Sequence, residues 1–295
     1  MKLGFHTYGF YLHGIGQLWG GLKLPWQPQM DLWQLMDYCD GIGLEGLHLD
    51  DAALESLEPS YLHRVRDKAR EINFYLEYNF SMNADYDPSL NHTVEEGLII
   101  ADHLGADLGK ISVDVRRPRP LAASKFHPKV MEQLKAFVVD VKAATPMAEK
   151  LNIRLAVENH ADAFSEEVLW VLDQIDHPLV GACVDTANGY HVTEDPTVAV
   201  QNLAPRAFTN HFRDDRIEYM PWGVKLQGAA VGDGDFDMKG AYELIKANPA
   251  MDRINIELDM EGDLDSMENS LNIEKSALER SVRFCRGVLG VGTEG

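Results

Sequence analysis

Four polar residues follow short apolar segments in the second half of the chain, and their types could do metal chemistry. They are Glu158 in AVENH, Asp185 in CVDTAN, His211 in TNHFRDD and Glu257 in INIELD. A carboxylate at the end of an apolar segment is costly to bury unless it is paired or bound to a metal. Each residue alone is more often a salt-bridge partner, but the shared placement of all four favours a shared cation. Three carboxylates and one imidazole suit Mn²⁺, Mg²⁺ or Co²⁺ better than a closed structural zinc site, and we expect Mn²⁺.

Such an ion would support the removal of a proton next to a carbonyl group. With four protein ligands, an octahedral ion keeps two positions open, where a substrate carbonyl and its neighbouring hydroxyl could be held as an enediolate. Glu158 and Glu257 could then flank the reacting carbon, one as the base and the other as the acid. His160 is a further candidate for proton transfer or for a substrate hydroxyl. A loop histidine that only bonds to the backbone is an equal alternative for His160.

Other polar and aromatic residues stand near the ends of earlier apolar segments. His6 and His48 are expected to face the same site, where they would bind substrate hydroxyls or fill polar positions. Lys110 is ambiguous, because the alternation of a strand does not show which face a residue takes. The long loop after the first segment holds Trp19, which we expect to contact substrate as part of an aromatic wall or lid. Packing of this loop on the rim is the alternative.

These residues need a scaffold that brings the ends of successive strands together. Short apolar runs alternate with longer segments of helical periodicity, which predicts eight strands and eight helices. That count over 295 residues favours an α/β fold of the (β/α)8 TIM-barrel type, as a single domain over 1–295. An open doubly wound sheet is the competing fold. Two connections are long for a barrel, 7–28 after the first strand and 212–236 after the seventh.

The predicted strands span 2–6, 44–49, 73–78, 108–113, 153–158, 180–185, 207–211 and 254–258. The predicted helices span 29–39, 59–71, 93–105, 128–151, 165–175, 196–203, 239–248 and 272–289.

Composition and charge exclude several classes of partner. The chain has 27 Lys and Arg against 47 Asp and Glu, which gives a net charge of -20. Such a charge repels a phosphate backbone, so no nucleic acid partner is expected.

The three cysteines have no zinc-site spacing and fit a reduced, cytoplasmic location. Residues 3–22 carry no Asp, Glu, Lys or Arg but hold two histidines and six glycines. We therefore expect neither a signal peptide nor a membrane segment there.

The chain resembles the xylose isomerase-like TIM-barrel superfamily of sugar phosphate isomerases and epimerases. The resemblance lies in the order of Glu158, Asp185, His211 and Glu257 and in the GxGxxD sequence at 232–237. The resemblance covers nearly the whole chain and is strongest over 153–258. It implies one divalent metal held by these four residues, with the two glutamates doubling as proton-transfer groups. It also implies a small carbohydrate substrate, a keto-sugar or related polyol.

The chain departs from the family pattern in the residues that would bind substrate. Many relatives carry a His three residues after the strand-six Asp, where this chain has Asn188, and His191 is the expected substitute. Both Arg213 and Arg216 follow His211 at the place where relatives have an arginine, and we take Arg213 as the substrate-binding candidate.

The leading hypothesis is a metal-dependent isomerase or epimerase. The same enolate could expel a leaving group, so a lyase that releases an aglycone from a 3-oxo-glycoside, or water from an inosose-like substrate, is the alternative. We expect an oligomer, and a resemblance to such lyases implies a small second subunit. A multi-zinc endonuclease of the same superfamily is disfavoured by Asn188 and the acidic charge, and a non-catalytic barrel by the intact ligand set.

Overall fold

Eight parallel strands form the centre of the molecule in the computed structural model, which describes residues 1–16, 23–84, 88 and 91–292. Their order in the sheet is Arg253–Ile256, Lys2–His6, Gly46–Asp50, Tyr75–Ser81, Leu108–Ser112, Arg154–Glu158, Val180–Asp185 and Ala207–His211. A parallel bridge between Phe212 and Ile256 joins the two outer strands. The Phe212 N–H donates to Asn255 O at 2.8 Å, and the Glu257 N–H donates to Phe212 O at 3.2 Å. The sheet therefore closes, which confirms the α/β (β/α)8 barrel.

The strands are β1 (Lys2–His6), β2 (Gly46–Asp50), β3 (Tyr75–Ser81), β4 (Leu108–Ser112), β5 (Arg154–Glu158), β6 (Val180–Asp185), β7 (Ala207–His211), β8 (Asp214–Met220), β9 (Gly223–Ala229) and β10 (Arg253–Ile256). The helices are α1 (Leu32–Gly41), α2 (Pro59–Glu71), α3 (Val94–Leu104), α4 (Pro128–Leu151), α5 (Ser165–Ile175), α6 (Pro196–Leu203), α7 (Met238–Lys246) and α8 (Met267–Gly287).

Local capping fixes where the helices begin. The Asp31 side chain accepts from the Gln34 N–H, and the Gln34 side chain bonds back to the Asp31 N–H, so α1 begins at Leu32 and not at the predicted residue 29. Thr93 caps α3 in the same way. These reciprocal bonds satisfy backbone N–H groups that the first turn of a helix leaves without partners.

A continuous apolar core lies between the strands and the helices. Leu3, Phe5, Leu47 and Leu49 on β1 and β2 are completely buried, and the apolar faces of the helices pack against the strands. The interior of the barrel is partly polar, since Glu77 and Asn255 are also completely buried. No helix of the described residues is both long enough and apolar enough to cross a membrane.

The connection after β7 contains an antiparallel hairpin, β8–β9, in a segment that the sequence predicts to be a loop. A two-residue turn at Pro221 and Trp222 joins its strands. Tyr219 and Trp222 are 88% and 98% exposed, so these two aromatic side chains do not line the mouth of the barrel.

The connection after β1 begins with a short 3₁₀ helix, Thr7–His13, that packs on the barrel. Trp26 donates from Nε1 to Leu12 O at 3.0 Å, which is the packing role that the sequence left open for the aromatic residues of this loop. Trp19, the expected substrate contact, lies outside the described residues.

Candidate metal centre and active site

The four predicted metal ligands meet at the C-terminal mouth of the barrel. Glu158 ends β5, Asp185 ends β6, His211 ends β7, and Glu257 directly follows β10. His211 Nδ1 lies 2.8 Å from Glu158 Oε1, 2.9 Å from Glu257 Oε2 and 3.9 Å from Asp185 Oδ2. All four side chains are buried. Three carboxylate oxygens and one imidazole nitrogen therefore converge on one point.

The hydrogen bonds of Asp185 support a cation at this point. Its Oδ1 accepts from the N–H groups of Ala187 and Asn188, each at 2.7 Å. Its Oδ2 is buried and has no hydrogen-bond partner among the described residues. A buried carboxylate oxygen without a partner is costly, and a bound cation would satisfy it. Ligand atoms of Glu158, Asp185 and His211 all lie within 4.8 Å of one another, so the residues present fit a divalent ion.

The charges around the site set the protonation of the two glutamates. Burial alone would raise the pKa of Glu158, but the charges of Lys110 and His211 outweigh burial and hold that pKa well below its ordinary value. Burial opposes ionisation of Glu257 as well, and the charge and hydrogen bonds of His211, with a hydrogen bond from His6, bring its pKa well below the ordinary value. Both glutamates are therefore carboxylates at neutral pH.

The pKa values of the other two predicted ligands, Asp185 and His211, are raised. Burial raises the pKa of Asp185 to about 6, although the Arg213 guanidinium lowers it. Burial disfavours a charged His211, yet Cys183 and the Glu257 and Glu158 carboxylates raise its pKa well above the ordinary value. Without a metal, a proton on His211 thus balances part of the negative charge at the site.

His48 supports His211 from inside the barrel. Its Nε2 lies 3.3 Å from His211 Nε2, and its Nδ1 lies 2.7 Å from Glu77 Oε2. His48 is completely buried and is absent from the cavity lining among the described residues. The structure therefore brings His48 next to His211 and not to the described cavity lining, and its substrate contact stays a prediction.

A cavity of about 210 Å³ opens beside the metal ligands, which is room for a small ligand. The predicted substrate-binding residues His6, His191 and Arg213 line it, as do the predicted catalytic residues Glu158, His160 and Glu257.

His6 and Arg213 both contact Glu257. His6 Nδ1 lies 3.0 Å from Glu257 Oε2, and Arg213 Nη1 lies 3.6 Å from Glu257 Oε1. Burial, with the charge of His211, lowers the pKa of His6 to about 4, so this imidazole is neutral. Arg213 Nη2 also donates to Asn188 Oδ1 at 3.1 Å, whereas Arg216 is exposed on β8 and bonds to Asp233 O. Of the two arginines, only Arg213 lines the cavity in the described part of the chain.

His160 and His191 line the wall of the cavity. His160 Nδ1 is 3.1 Å from Asp162 Oδ1. Burial opposes its protonation, but the Glu158 and Asp162 carboxylates raise its pKa above the ordinary value. His191 has an exposed side chain at the mouth. Both positions are compatible with contact to a ligand.

The cavity is also lined by residues to which the sequence assigned no role. Asn79 and Ser81 on β3, and Lys110 and Ser112 on β4, line the cavity on one side. The signal in the sequence is a polar residue at every second position near the end of each strand, Asn-Phe-Ser and Lys-Ile-Ser. Of these four residues, only Lys110 was considered from the sequence, which does not show on which face of β4 its side chain lies.

The GxGxxD sequence has a structural role beside the site. Asp214 Oδ2 accepts from the N–H groups of Gly232 and Gly234, at 2.9 and 3.0 Å. Gly232 has φ +91°, which is unfavourable for other residues, and Asp237 caps α7 by accepting from the Gly240 N–H. The motif therefore ties the base of the hairpin to the start of α7.

The fold and the site define a (β/α)8 barrel with a candidate metal centre at the C-terminal ends of its strands. The family model of the xylose isomerase-like TIM barrel matches residues 37–286, and the chain belongs to this family. The family that the sequence resembled is thereby confirmed.

Individual relatives are distant. A 3-oxo-isoapionate decarboxylase of Pectobacterium atrosepticum is 25% identical over 257 residues, which cover 84% of this chain and 82% of the relative. A solved D-psicose 3-epimerase, determined in the presence of D-fructose, superposes with a TM-score of 0.67 at 12% identity, covering 98% of this chain and 100% of the other. The IolI protein with a bound zinc atom superposes with a TM-score of 0.66 at 14% identity, covering 96% of this chain and 98% of the other. At these identities the two solved structures show the fold alone.

Proposed function

We propose that the protein is a metal-dependent isomerase or epimerase that moves a proton next to the carbonyl group of a small keto-sugar or related polyol. One observation carries this proposal. Two buried glutamates, Glu158 and Glu257, both contact His211 Nδ1. Glu158 also forms an ion pair with Lys110, and Glu257 forms one with Arg213. In such a pair, one glutamate can act as the general base on one face of a bound carbon, and the other can act as the general acid on the opposite face.

The chain's own residues would position and move the proton. Because both carboxylates are ionised, either can accept a proton from a ligand in the cavity. His6 and Arg213 hold Glu257 in place, and Lys110 holds Glu158 through its Oε2 atom. A divalent ion held by Glu158, Asp185, His211 and Glu257, for which we favour Mn²⁺ over Mg²⁺ or Co²⁺, would supply a Lewis acid that polarises the carbonyl.

A lyase is the second candidate function, and a specific observation favours it. The relative that is 25% identical over most of both chains is named a 3-oxo-isoapionate decarboxylase. Loss of CO₂ from a 3-oxo acid and loss of a β-substituent both pass through an enolate, so the same residues could serve either reaction. The exposed Tyr219 and Trp222 give no support to an aryl-glycoside pocket.

We also propose a cytoplasmic location and an oligomeric state. The three cysteines, at 39, 183 and 285, are buried and unpaired, which fits a reducing compartment. Size-exclusion chromatography with light scattering, with and without co-purifying proteins, would test for a homo-oligomer or for a small second subunit.

The function is tested by proton exchange in D₂O. NMR spectra of the Mn²⁺-loaded protein with keto-sugars, inososes and 3-oxo acids should show deuterium at the carbon beside the carbonyl, with the skeleton intact. Release of CO₂, water or an aglycone would transfer the assignment to the lyase. The absence of exchange and of release with all of them would overturn both candidates.

Glutamine variants link the activity to the site. Glu158→Gln and Glu257→Gln should each lower turnover by at least about 100-fold, because each removes a proton carrier and a metal ligand. Glu166→Gln, at an exposed glutamate of α5, is the matched control. Near-normal activity in both site variants would exclude the proposed mechanism.

A further inference from the structure

Two loops at the mouth of the barrel bring a second group of possible metal ligands together. Asp114 lies two residues after the end of β4, and His160 and Asp162 lie two and four residues after the end of β5. Ligand atoms of these three side chains all lie within 4.8 Å of one another. None of the three belongs to the four predicted ligands of the candidate metal centre. We refer to them as the loop cluster.

Hydrogen bonds hold the two loops of this cluster together. The Val115 N–H donates to Asp162 Oδ2, which joins the loop after β4 to the loop after β5. The Ala163 N–H donates to His160 O at 3.0 Å and closes a turn over 160–163. Within this turn, His160 Nδ1 lies 3.1 Å from Asp162 Oδ1. The backbone of the protein therefore sets the arrangement of the loop cluster.

The carboxylate of Asp114 is the observation that points to a cation. Both of its oxygens are buried, and neither has a hydrogen-bond partner among the described residues. The closest lysine in the sequence, Lys110, is paired instead with Glu158, its Nζ lying 2.5 Å from Glu158 Oε2. A buried carboxylate without partners is costly, and a cation bound between Asp114 and its two neighbours in the cluster would satisfy it.

The loop cluster can be reached from the mouth of the barrel. The side chains of His160 and Asp162 are 14% and 21% exposed. His160 also lines the cavity beside the four predicted metal ligands. An ion held by the loop cluster would therefore face a ligand bound in the cavity.

We propose that Asp114, His160 and Asp162 bind a second divalent metal ion, in addition to the ion of the candidate metal centre. Two carboxylates and one imidazole suit Mn²⁺, and an octahedral ion with three protein ligands keeps three positions for water or for oxygens of a ligand. This ion binds more weakly than the first, because the loop cluster offers two carboxylates and the candidate metal centre offers three. The second site goes beyond the proposed function and does not depend on it.

Calorimetric titration of the metal-free protein with Mn²⁺ counts the ions and separates the two sites. The wild-type protein should show two binding steps, the second at least about 100-fold weaker than the first. Asp114→Asn should lose only the weaker step, and Asp185→Asn should lose the stronger one. The variant with both substitutions should show neither step. Electron paramagnetic resonance of the free Mn²⁺ in the same titrations gives an independent count.

Two further variants control for charge and for folding. Asp140→Asn, at an exposed aspartate of α4, is the charge-matched control and should keep both steps. Asp162→Asn can still accept from the Val115 N–H through its amide oxygen, and it serves if Asp114→Asn does not fold.

Thermal unfolding in EDTA separates metal binding from a structural role of Asp114. Asp114→Asn should unfold at the wild-type temperature or above it, because the substitution removes a buried charge without a partner. A lower unfolding temperature together with the loss of both Mn²⁺ steps would make Asp114 a structural residue and would overturn the second site.

The other outcomes of the titration also decide the proposal. A single step that Asp114→Asn leaves intact would confine metal binding to the candidate metal centre, and the proposed function would stand. Two steps that both persist in Asp114→Asn and Asp162→Asn would place the second ion elsewhere on the acidic surface. No binding of Mn²⁺ by the wild-type protein would overturn the second site and the candidate metal centre together.

Discussion

At the scale of single residues, Glu77 anchors the His48 side chain that contacts His211 of the candidate metal site. This carboxylate has no exposed surface, and it accepts hydrogen bonds from Thr209 Oγ1 at 2.7 Å and Asn255 Nδ2 at 3.0 Å. With His48 Nδ1 donating to Glu77, His48 Nε2 is free to accept from His211 Nε2, which leaves His211 Nδ1 as the ligand atom. Partners of this kind fix the tautomer of a ligating histidine.

Removal of His48 should therefore weaken metal binding without removing a ligand. We expect His48→Ala to raise the dissociation constant for Mn²⁺ by about 10- to 100-fold, as is typical for outer-shell partners of metal ligands. Calorimetric titration of the metal-free protein measures the effect. His177→Ala is the control, because His177 bonds to Glu149 outside the site. An unchanged constant in His48→Ala would show that His211 is held by its neighbours at the mouth alone.

The protonation of Glu77 should make the stability of the metal-free barrel depend on pH. Burial, partly offset by Arg253 and Thr209, raises the pKa of Glu77 from 4.5 to about 7. A raised pKa in the folded state contributes stability below pH 4.5 that is lost as the pH rises through 7. Relative to Glu77→Gln, the wild type should lose up to about 3 kcal/mol of unfolding free energy over this window. Urea unfolding at several pH values measures it, and parallel curves for the two proteins would contradict it.

The residues of the site differ in how visible they are in the sequence. The convergence of Glu158, Asp185, His211 and Glu257 could be predicted because each is a polar residue at or next to the end of an apolar strand. Lys110 and His48 could not be placed, since their directions depend on the tilt and register of strands within a closed barrel. The sequence therefore could not show that His48 lies next to His211 and outside the described cavity lining.

At the scale of elements, the β8–β9 hairpin was the structure that the sequence did not reveal. Both faces of its strands are largely exposed near the turn, so the segment lacks the alternation of apolar and polar residues that marks a half-buried strand. The barrel strands and most helices were located to within a few residues, because a buried strand or an amphipathic helix must show its apolar face in the sequence. Capping bonds then decide the final boundaries.

The base of the hairpin lies so close to the loop after β10 that only glycine fits there. A Cβ atom on Gly228 would lie 1.7 Å from the Asp259 carbonyl oxygen, and Asp259 lines the cavity. Gly228→Ala should therefore push the hairpin outward and lower the unfolding free energy by about 2 kcal/mol. The Michaelis constant should rise as well, because the cavity wall shifts.

Gly41 provides the matched control for this substitution. No described residue lies within 4 Å of a Cβ atom built on Gly41, which ends α1. Gly41→Ala should leave kinetics unchanged and add up to about 1 kcal/mol of stability. Thermal unfolding and steady-state kinetics of both variants are compared. Equal stability of Gly228→Ala and the wild type would mean that the hairpin is not packed as described.

At the scale of the whole molecule, the four proposed metal ligands come from strands that are distant in sequence, from Glu158 on β5 to Glu257 after β10. Three buried carboxylates repel one another without a cation, so a divalent ion should stabilise the entire barrel. Because the unfolded chain lacks the site, Mn²⁺ at a hundredfold excess over its dissociation constant should add about 3 kcal/mol. The melting temperature should rise by on the order of 5 °C.

Thermal unfolding with EDTA and with Mn²⁺ measures this shift. Glu166→Gln, outside the site, should show the full shift. Asp185→Asn should lose most of it, because the variant replaces a charged proposed ligand whose Oδ2 has no hydrogen-bond partner among the described residues. An equal shift in both variants would place the metal elsewhere on this acidic surface. A shift that depends on Asp185 would show that binding of one ion couples folding of the barrel to formation of its active site, because the same four side chains would bind the ion and form the site.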